Sequence, residues 1–190
     1  MFFGRPFEGF VVAAVRPVLS GFEGAPMFES DANVLREAVR EAMLRAELRL
    51  AVEAIYAEVE REINDIKPRC EMSGRCCRFE TYGHRLFVTT AELAVFAAAA
   101  KQSPAAMSML QNEDGGGCRF QQGLMCNAHP IRAMGCRMFF CDPAHEEELQ
   151  ALFERMHARL KMLHDELEIP YLYVEWRAGV AAVAPLIGEL

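Results

Sequence analysis

The sequence predicts a predominantly helical α+β protein, with a cysteine-rich core of loops and a hairpin packed against long helices. Three observations predict it. Apolar residues step by three and four along two long stretches, as on an α-helix with one buried face. Two short runs alternate like strands. All seven cysteines (Cys70, Cys76, Cys77, Cys118, Cys126, Cys136 and Cys141) fall between those helical stretches.

The chain has 190 residues, enough for one domain with a proper core. Its composition, 52% hydrophobic and 25% charged, is that of a soluble globular protein. The net charge is −7 and no basic stripe occurs, which excludes nucleic acid and an anionic membrane surface as expected partners. The apolar run 11–15 is interrupted by Glu8, Arg16 and Pro17 and does not read as an export signal. The run 178–187 falls short of the roughly 20 apolar residues that span a bilayer. A cytoplasmic location follows as the expectation, where thiols stay reduced. The odd cysteine count also argues against a complete disulfide framework.

Residues 1–29 are rich in Phe, Gly and Pro and read as an irregular arm packed on the body. Ser30 or Asp31 can cap an amphipathic helix over 30–67, which Lys67-Pro68 stops. Its stripe is Val52, Ile55, Val59, Ile63 and Ile66, and Glu41 and Arg45 form a favourable i,i+4 pair. Unbroken, this helix would span about 54 Å. That is long for the domain, so either it breaks or part of it meets a second copy as a homodimer contact.

Region 68–142 is the cysteine region. Within it, 83–89 reads as a strand, and Thr89 with Glu92 makes a capping box opening a helix over about 90–102. Ser103-Pro104 starts another short helix. Residues 112–117 read as a loop, without the GxxxxGK[ST] pattern of a phosphate-binding loop. Residues 118–126 read as a hairpin turning at Gln122-Gly123, with Cys118 and Cys126 opposite each other or one residue out of register.

Over 143–190 the sequence predicts a helix, a short strand and a tail. Asp142 caps the helix, Pro143 suits its first position, and Glu146, Glu147 and Glu148 lie near the positive end of its dipole. Its stripe is Leu149, Leu152, Phe153, Met156, Leu160, Leu163 and Leu167. The run 171–176 alternates like a strand, and the rest reads as a small-residue tail.

Thiolates select zinc, iron–sulfur clusters or copper(I). The C-x2-C knuckles of zinc ribbons and the ferredoxin runs are absent. A cluster is a wider target than one ion and accepts ligands from separate segments. The expected cofactor is therefore an iron–sulfur cluster, 4Fe-4S favoured, or a zinc or iron ion, held by most of the seven cysteines. One of the adjacent Cys76 and Cys77 is expected to point away from a single ion. A zinc-stabilised interaction module and a metal-free thiol redox switch are the alternatives. A cluster implies an electron-transfer partner, a redox-sensing role or support of an enzyme.

The cysteine region resembles the YkgJ-type cysteine-cluster family, a zinc- or iron-chelating domain whose first motif is C-x2-C-x2-C-C. That motif stands here as Cys70, Ser73, Cys76 and Cys77, with serine at the second cysteine. Its second half is matched by Cys118-Arg-Phe120, then Cys126, His129, Arg132, Cys136-Arg137 and Cys141. His129 stands for the family's tyrosine and Ala133 for its proline. The resemblance covers about 70–142 and implies metal chelation. It also touches the flagellin lysine methylases, whose cysteine pattern is similar.

Arg132 and Arg137 flank Cys136 and are candidates to hydrogen-bond a cluster's sulfurs; the alternative is an ion pair to the acidic helices. His129 is a candidate further ligand. His157 and His164 are expected at the edge of the last helix stripe, His84 in a strand and His145 at a helix start. Tyr171, Tyr173 and Trp176 are expected in the core. No nucleophile–base pair, nucleotide loop or paired-carboxylate pattern stands out.

Overall fold

A computed structural model describes residues 29–110 and 117–188. The expected arm over 1–29 and most of the 112–117 loop lie outside them. The described residues form eight α-helices and two small antiparallel sheets, a predominantly helical α+β fold.

At the centre is α4 (Thr90–Ala100), apolar on every side and with most of its residues buried. A helix apolar all round has to be surrounded, and its alanines let the neighbours come close. The capping box is formed: Thr89 Oγ1 accepts from the Glu92 N–H, and the Glu92 carboxylate accepts from the Thr89 N–H.

The helix expected over 30–67 is two helices, α1 (Glu29–Met43) and α2 (Ala46–Ile66). Arg45 at the junction is extended, and Leu44 is 84% exposed. No Gly or Pro marks the break. The cause is tertiary: α1 lies on α4 and on α8 (Trp176–Gly188), whereas α2 lies on α7 (Glu146–Glu166). A straight rod could not bury both faces. Arg45 holds the bend by donating to the Leu167 carbonyl just past the end of α7.

The stripe on α7 is buried from Leu149 to Leu163, facing Val52, Ile55, Tyr56 and Val59 of α2. Arg159 and Arg155 of α7 pair with Glu58 and Glu62 of α2 along the rim. Exposed pairs of this kind contribute about 0–1 kcal/mol each, so the apolar seam dominates.

The tail expected after residue 176 is instead α8, and it is core: Trp176, Val180, Val183, Leu186 and Ile187 are all buried. Gly179 and Pro185 read as breakers, but Gly179 marks a close approach. A Cβ there would sit 3.0 Å from the side chains of Leu93 and Val174. The absent side chain is what lets α8 lie on α4.

Strand β1 (Phe87–Thr89) is shorter than the expected 83–89 run and pairs with β4 (Tyr173–Glu175), Val88 opposite Val174. The residues before it form the short helix α3 (Phe79–Tyr82) and a turn. Ser103 and Pro104 start α5 (Pro104–Met109), as expected. His157 and His164 are buried rather than at the edge of their stripe, because β4 and the chain before it close over that side of α7. No helix among the described residues is long and apolar enough to cross a membrane.

Candidate metal centre

Four short segments converge beside Trp176 at the start of α8. A 3-10 turn over Arg75–Cys77 presents Cys76 and Cys77. The second carries Cys118 and leads into the hairpin of β2 (Gln121–Gln122) and β3 (Met125–Cys126). Helix α6 (Met134–Met138) carries Cys136, and the chain beyond it carries Cys141.

The hairpin register differs from expectation. Cys126 faces Gln121, not Cys118. The ladder is only two residues long, and Cys118 sits before it in a turn closed by Gln121 N–H on the Cys118 carbonyl at 3.0 Å. What brings Cys118 in is Cys77: its carbonyl accepts the Cys118 N–H at 2.7 Å. Gly117 is required at this junction, because a Cβ there would meet the same carbonyl at 2.8 Å. Gly117→Ala is expected to force the two segments apart and cost about 1–3 kcal/mol, measured by denaturant unfolding. An unchanged midpoint would refute it.

All seven cysteines, with Ser73, line one cavity of about 310 Å³. Cys77 is the hub. Its sulfur lies 3.9 Å from that of Cys76, and its thiol also interacts with Cys118 and Cys126. Hydrogen bonding from Cys77 pulls the Cys76 and Cys126 thiols down to about 7 and lowers Cys118 as well. Cys77 itself is pushed up, because it is the donor to those sulfurs. Cys136 is pushed up by burial and by the neighbouring sulfurs of Cys118, Cys126 and Cys76.

Cys70 is exposed, whereas Cys141 is half-buried beside Ser73. Ser73 Oγ lies 3.6 Å from Cys141 Sγ, and the Arg69 N–H donates to Asp142 Oδ2 at 2.8 Å, pinning the two segments together. Among the described residues, no three His, Cys, Asp or Glu side chains are gathered tightly enough to hold one ion as they stand.

The two arginines part company. Arg137 is buried, and all three of its guanidinium nitrogens meet oxygens: the Arg132 and Pro130 carbonyls and the Glu60 carboxylate. It also stacks over Tyr56 with its Cζ 4.5 Å from the ring centre. It therefore anchors α6 to α2. Arg132 lies in the field of Cys136, Cys126 and Cys76, and its Nε is buried without a hydrogen-bond partner. Arg75, another cavity-lining residue, has the same unpartnered Nε. His129 also lines the cavity, but its Nε2 is engaged by Arg132 at 2.6 Å. His145 pairs with Asp142.

Trp176 escaped the sequence reading as a site residue. It is buried, and its Nε1–H donates to Cys118 Sγ at 3.4 Å. Its edge-on packing on Phe96 fixes that direction. The sequence signal was only a lone Trp at the end of a strand.

Comparison with known protein families, with curated proteins and with solved structures finds no match to this chain. The fold and the site themselves define the class: a helical protein with a thiol-lined cavity formed by loops, a hairpin and short turns.

Proposed function

We propose that this chain binds an iron–sulfur cluster, of the 4Fe-4S type, in the chamber. The carrying observation is that all seven cysteines line one cavity of about 310 Å³. The set around Cys77 (Cys76, Cys77, Cys118 and Cys126) supplies the thiolates, with Cys136 beside it. The unpartnered Arg75 and Arg132 Nε–H groups support an anionic occupant. Buried donors cost about 1–3 kcal/mol each when unmet, and a thiolate-ligated cluster presents sulfurs that accept them. The same reading makes the chain a member of the YkgJ-type family it resembles. It also places the chain in a reducing compartment, the cytoplasm, where free cysteines persist.

One observation favours a second reading, a structural zinc. The 3.9 Å between the Cys76 and Cys77 sulfurs is close to the ~3.8 Å between sulfurs bound to one tetrahedral zinc at 2.3 Å.

Metal and acid-labile sulfide analysis, with an absorption spectrum, on protein purified without air separates the two. Iron with sulfide and a broad visible band supports the cluster. Zinc without sulfide replaces it with the structural site. Metal-free protein with a disulfide between chamber cysteines makes it a thiol switch.

Trp176 gives an independent readout, since it is the only tryptophan and touches Cys118. Loading the chamber is expected to quench its fluorescence strongly. Equal emission from loaded and apo protein would place the metal elsewhere.

A further inference from the structure

Eight large hydrophobic side chains are exposed among the described residues, and three of them, Met72, Leu124 and Met125, also line the thiol chamber. Being both exposed and in its wall, they form the rim of its mouth. The other five lie on different elements. Single exposed apolar residues are ordinary, but a group around one opening marks a surface meant to be covered.

The rim is a built feature. Gln121 Nε2 donates to the Gly74 carbonyl at 3.2 Å and ties the hairpin to the loop of Met72. Gly74 has a φ of +69°, and a Cβ there would run into Gln121 Nε2 and meet Leu124 Cα at 3.5 Å. Met72 itself has a φ of 48°, a left-handed conformation uncommon outside glycine. Strain of that kind gathers at ligand clamps.

The chain carries its own candidate to cover the rim. Three stretches lie outside the described residues: 1–28, 111–116 and 189–190. Residues 111–116 bring no apolar side chain, and 189–190 bring one leucine. Residues 1–28 bring Phe2, Phe3, Phe7, Phe10, Phe22 and Phe28, six of the chain's 13 phenylalanines. Extended, they reach about 90 Å, against about 40 Å across a domain of this size, so the mouth is within reach from Glu29. Two of the three rim residues are methionines, whose thioethers pack well on aromatic rings. The open cavity of about 260 Å³ at the α1–α2 bend suits phenylalanine less, because Arg45, Arg49 and Gln102 are in its wall. A tethered segment also acts at an effective concentration on the order of millimolar, which a separate partner or a second copy has to match in solution.

We propose that residues 1–28 lie across the mouth of the chamber, with their phenylalanines among Met72, Leu124 and Met125, and screen its thiols from solvent. The seating does not rest on what the chamber holds.

The test uses dilute, reduced, metal-free full-length protein. The photo-crosslinking amino acid p-benzoylphenylalanine is placed at Leu124, or at the exposed Leu50 of α2 as the control, and the cross-linked peptides are mapped by mass spectrometry. Leu124 is expected to cross-link to residues 1–28 of the same chain at least fivefold more than Leu50 does. In a second variant the six phenylalanines of residues 1–28 are changed to serine, with circular dichroism as the check on folding. Alkylation of Cys76, Cys118 and Cys126 should then run at least fivefold faster than in the wild type. Equal yields from Leu124 and Leu50, or cross-links from Leu124 that miss residues 1–28, overturn the proposal. Cross-links that join two chains overturn it in favour of a second copy as the occupant. Unchanged alkylation in the folded serine variant overturns the screening. Should that variant not fold, the cross-link on the native segment still decides. Neither readout involves a metal, so failure here is not mistaken for failure of the cluster reading.

Discussion

Cys77→Ser is expected to empty the chamber. The variant loses the sulfur that interacts with those of Cys76, Cys118 and Cys126, so three neighbours lose their common partner at once. The Cys77 backbone remains, and with it the 2.7 Å bond to Cys118. The fold should therefore survive while metal content falls, by about tenfold or more in affinity for each ~1.4 kcal/mol of lost ligand interaction. Cys70→Ser is the matched control. Cys70 is exposed at the edge of the same cavity, and it is not among the thiols that hydrogen-bond to Cys77. Iron and sulfide per chain, measured on both variants without air, checks the contrast. Full occupancy in Cys77→Ser would remove the hub from the proposal. Equal loss in both variants would mean that the seven thiols act as one set.

The sequence announced that cysteines would gather, but not how. Counting residues around a turn puts Cys118 and Cys126 opposite each other across a hairpin or one residue out of register. The ladder pairs Cys126 with Gln121, and Cys118 arrives through a contact with Cys77 far away in sequence. Spacing encodes local geometry; it carries no trace of a bond between residues 77 and 118. The same limit hid the roles of Arg132 and Arg137. Both flank Cys136, yet Arg137 turns to Glu60 and two carbonyls while Arg132 keeps an unpartnered Nε–H near the sulfurs.

Elements with their own local signals were legible. The Thr89–Glu92 box and the Ser103-Pro104 start formed where read, because each is satisfied within one helical turn. The break at Leu44–Arg45 was not legible, since it answers two different partners rather than any residue at the bend. Helix α8 was misread as a tail because glycine and proline are breakers on average. Here Gly179 is chosen for closeness to Leu93 and Val174.

Glu92 shows how a local signal can conceal a long-range role, and it gives the largest expected effect on stability. Beyond capping α4, its buried carboxylate accepts the Met134 N–H at 3.0 Å and the Tyr56 hydroxyl at 3.3 Å. One side chain therefore joins α2, α4 and the start of α6, the helix that carries Cys136. Glu92→Ala leaves the donors of Thr89, Met134 and Tyr56 buried without an acceptor. At about 1–3 kcal/mol for an unmet donor, the loss should reach about 3 kcal/mol or more, a large share of a typical domain's ~5–15 kcal/mol. Glu92→Gln keeps the shape and one acceptor oxygen, and should cost less. The two forms also differ with pH. Burial raises the Glu92 carboxyl above its ordinary 4.5, so the folded chain holds this proton to higher pH than the unfolded chain does. The wild type should then lose stability relative to Glu92→Gln as pH rises from about 4.5 through the raised value, with a constant difference above it. Denaturant unfolding at several pH values measures both effects. An alanine variant within about 0.5 kcal/mol of wild type would show that α6 is held by its apolar contacts alone, and that the carboxylate is a cap and nothing more.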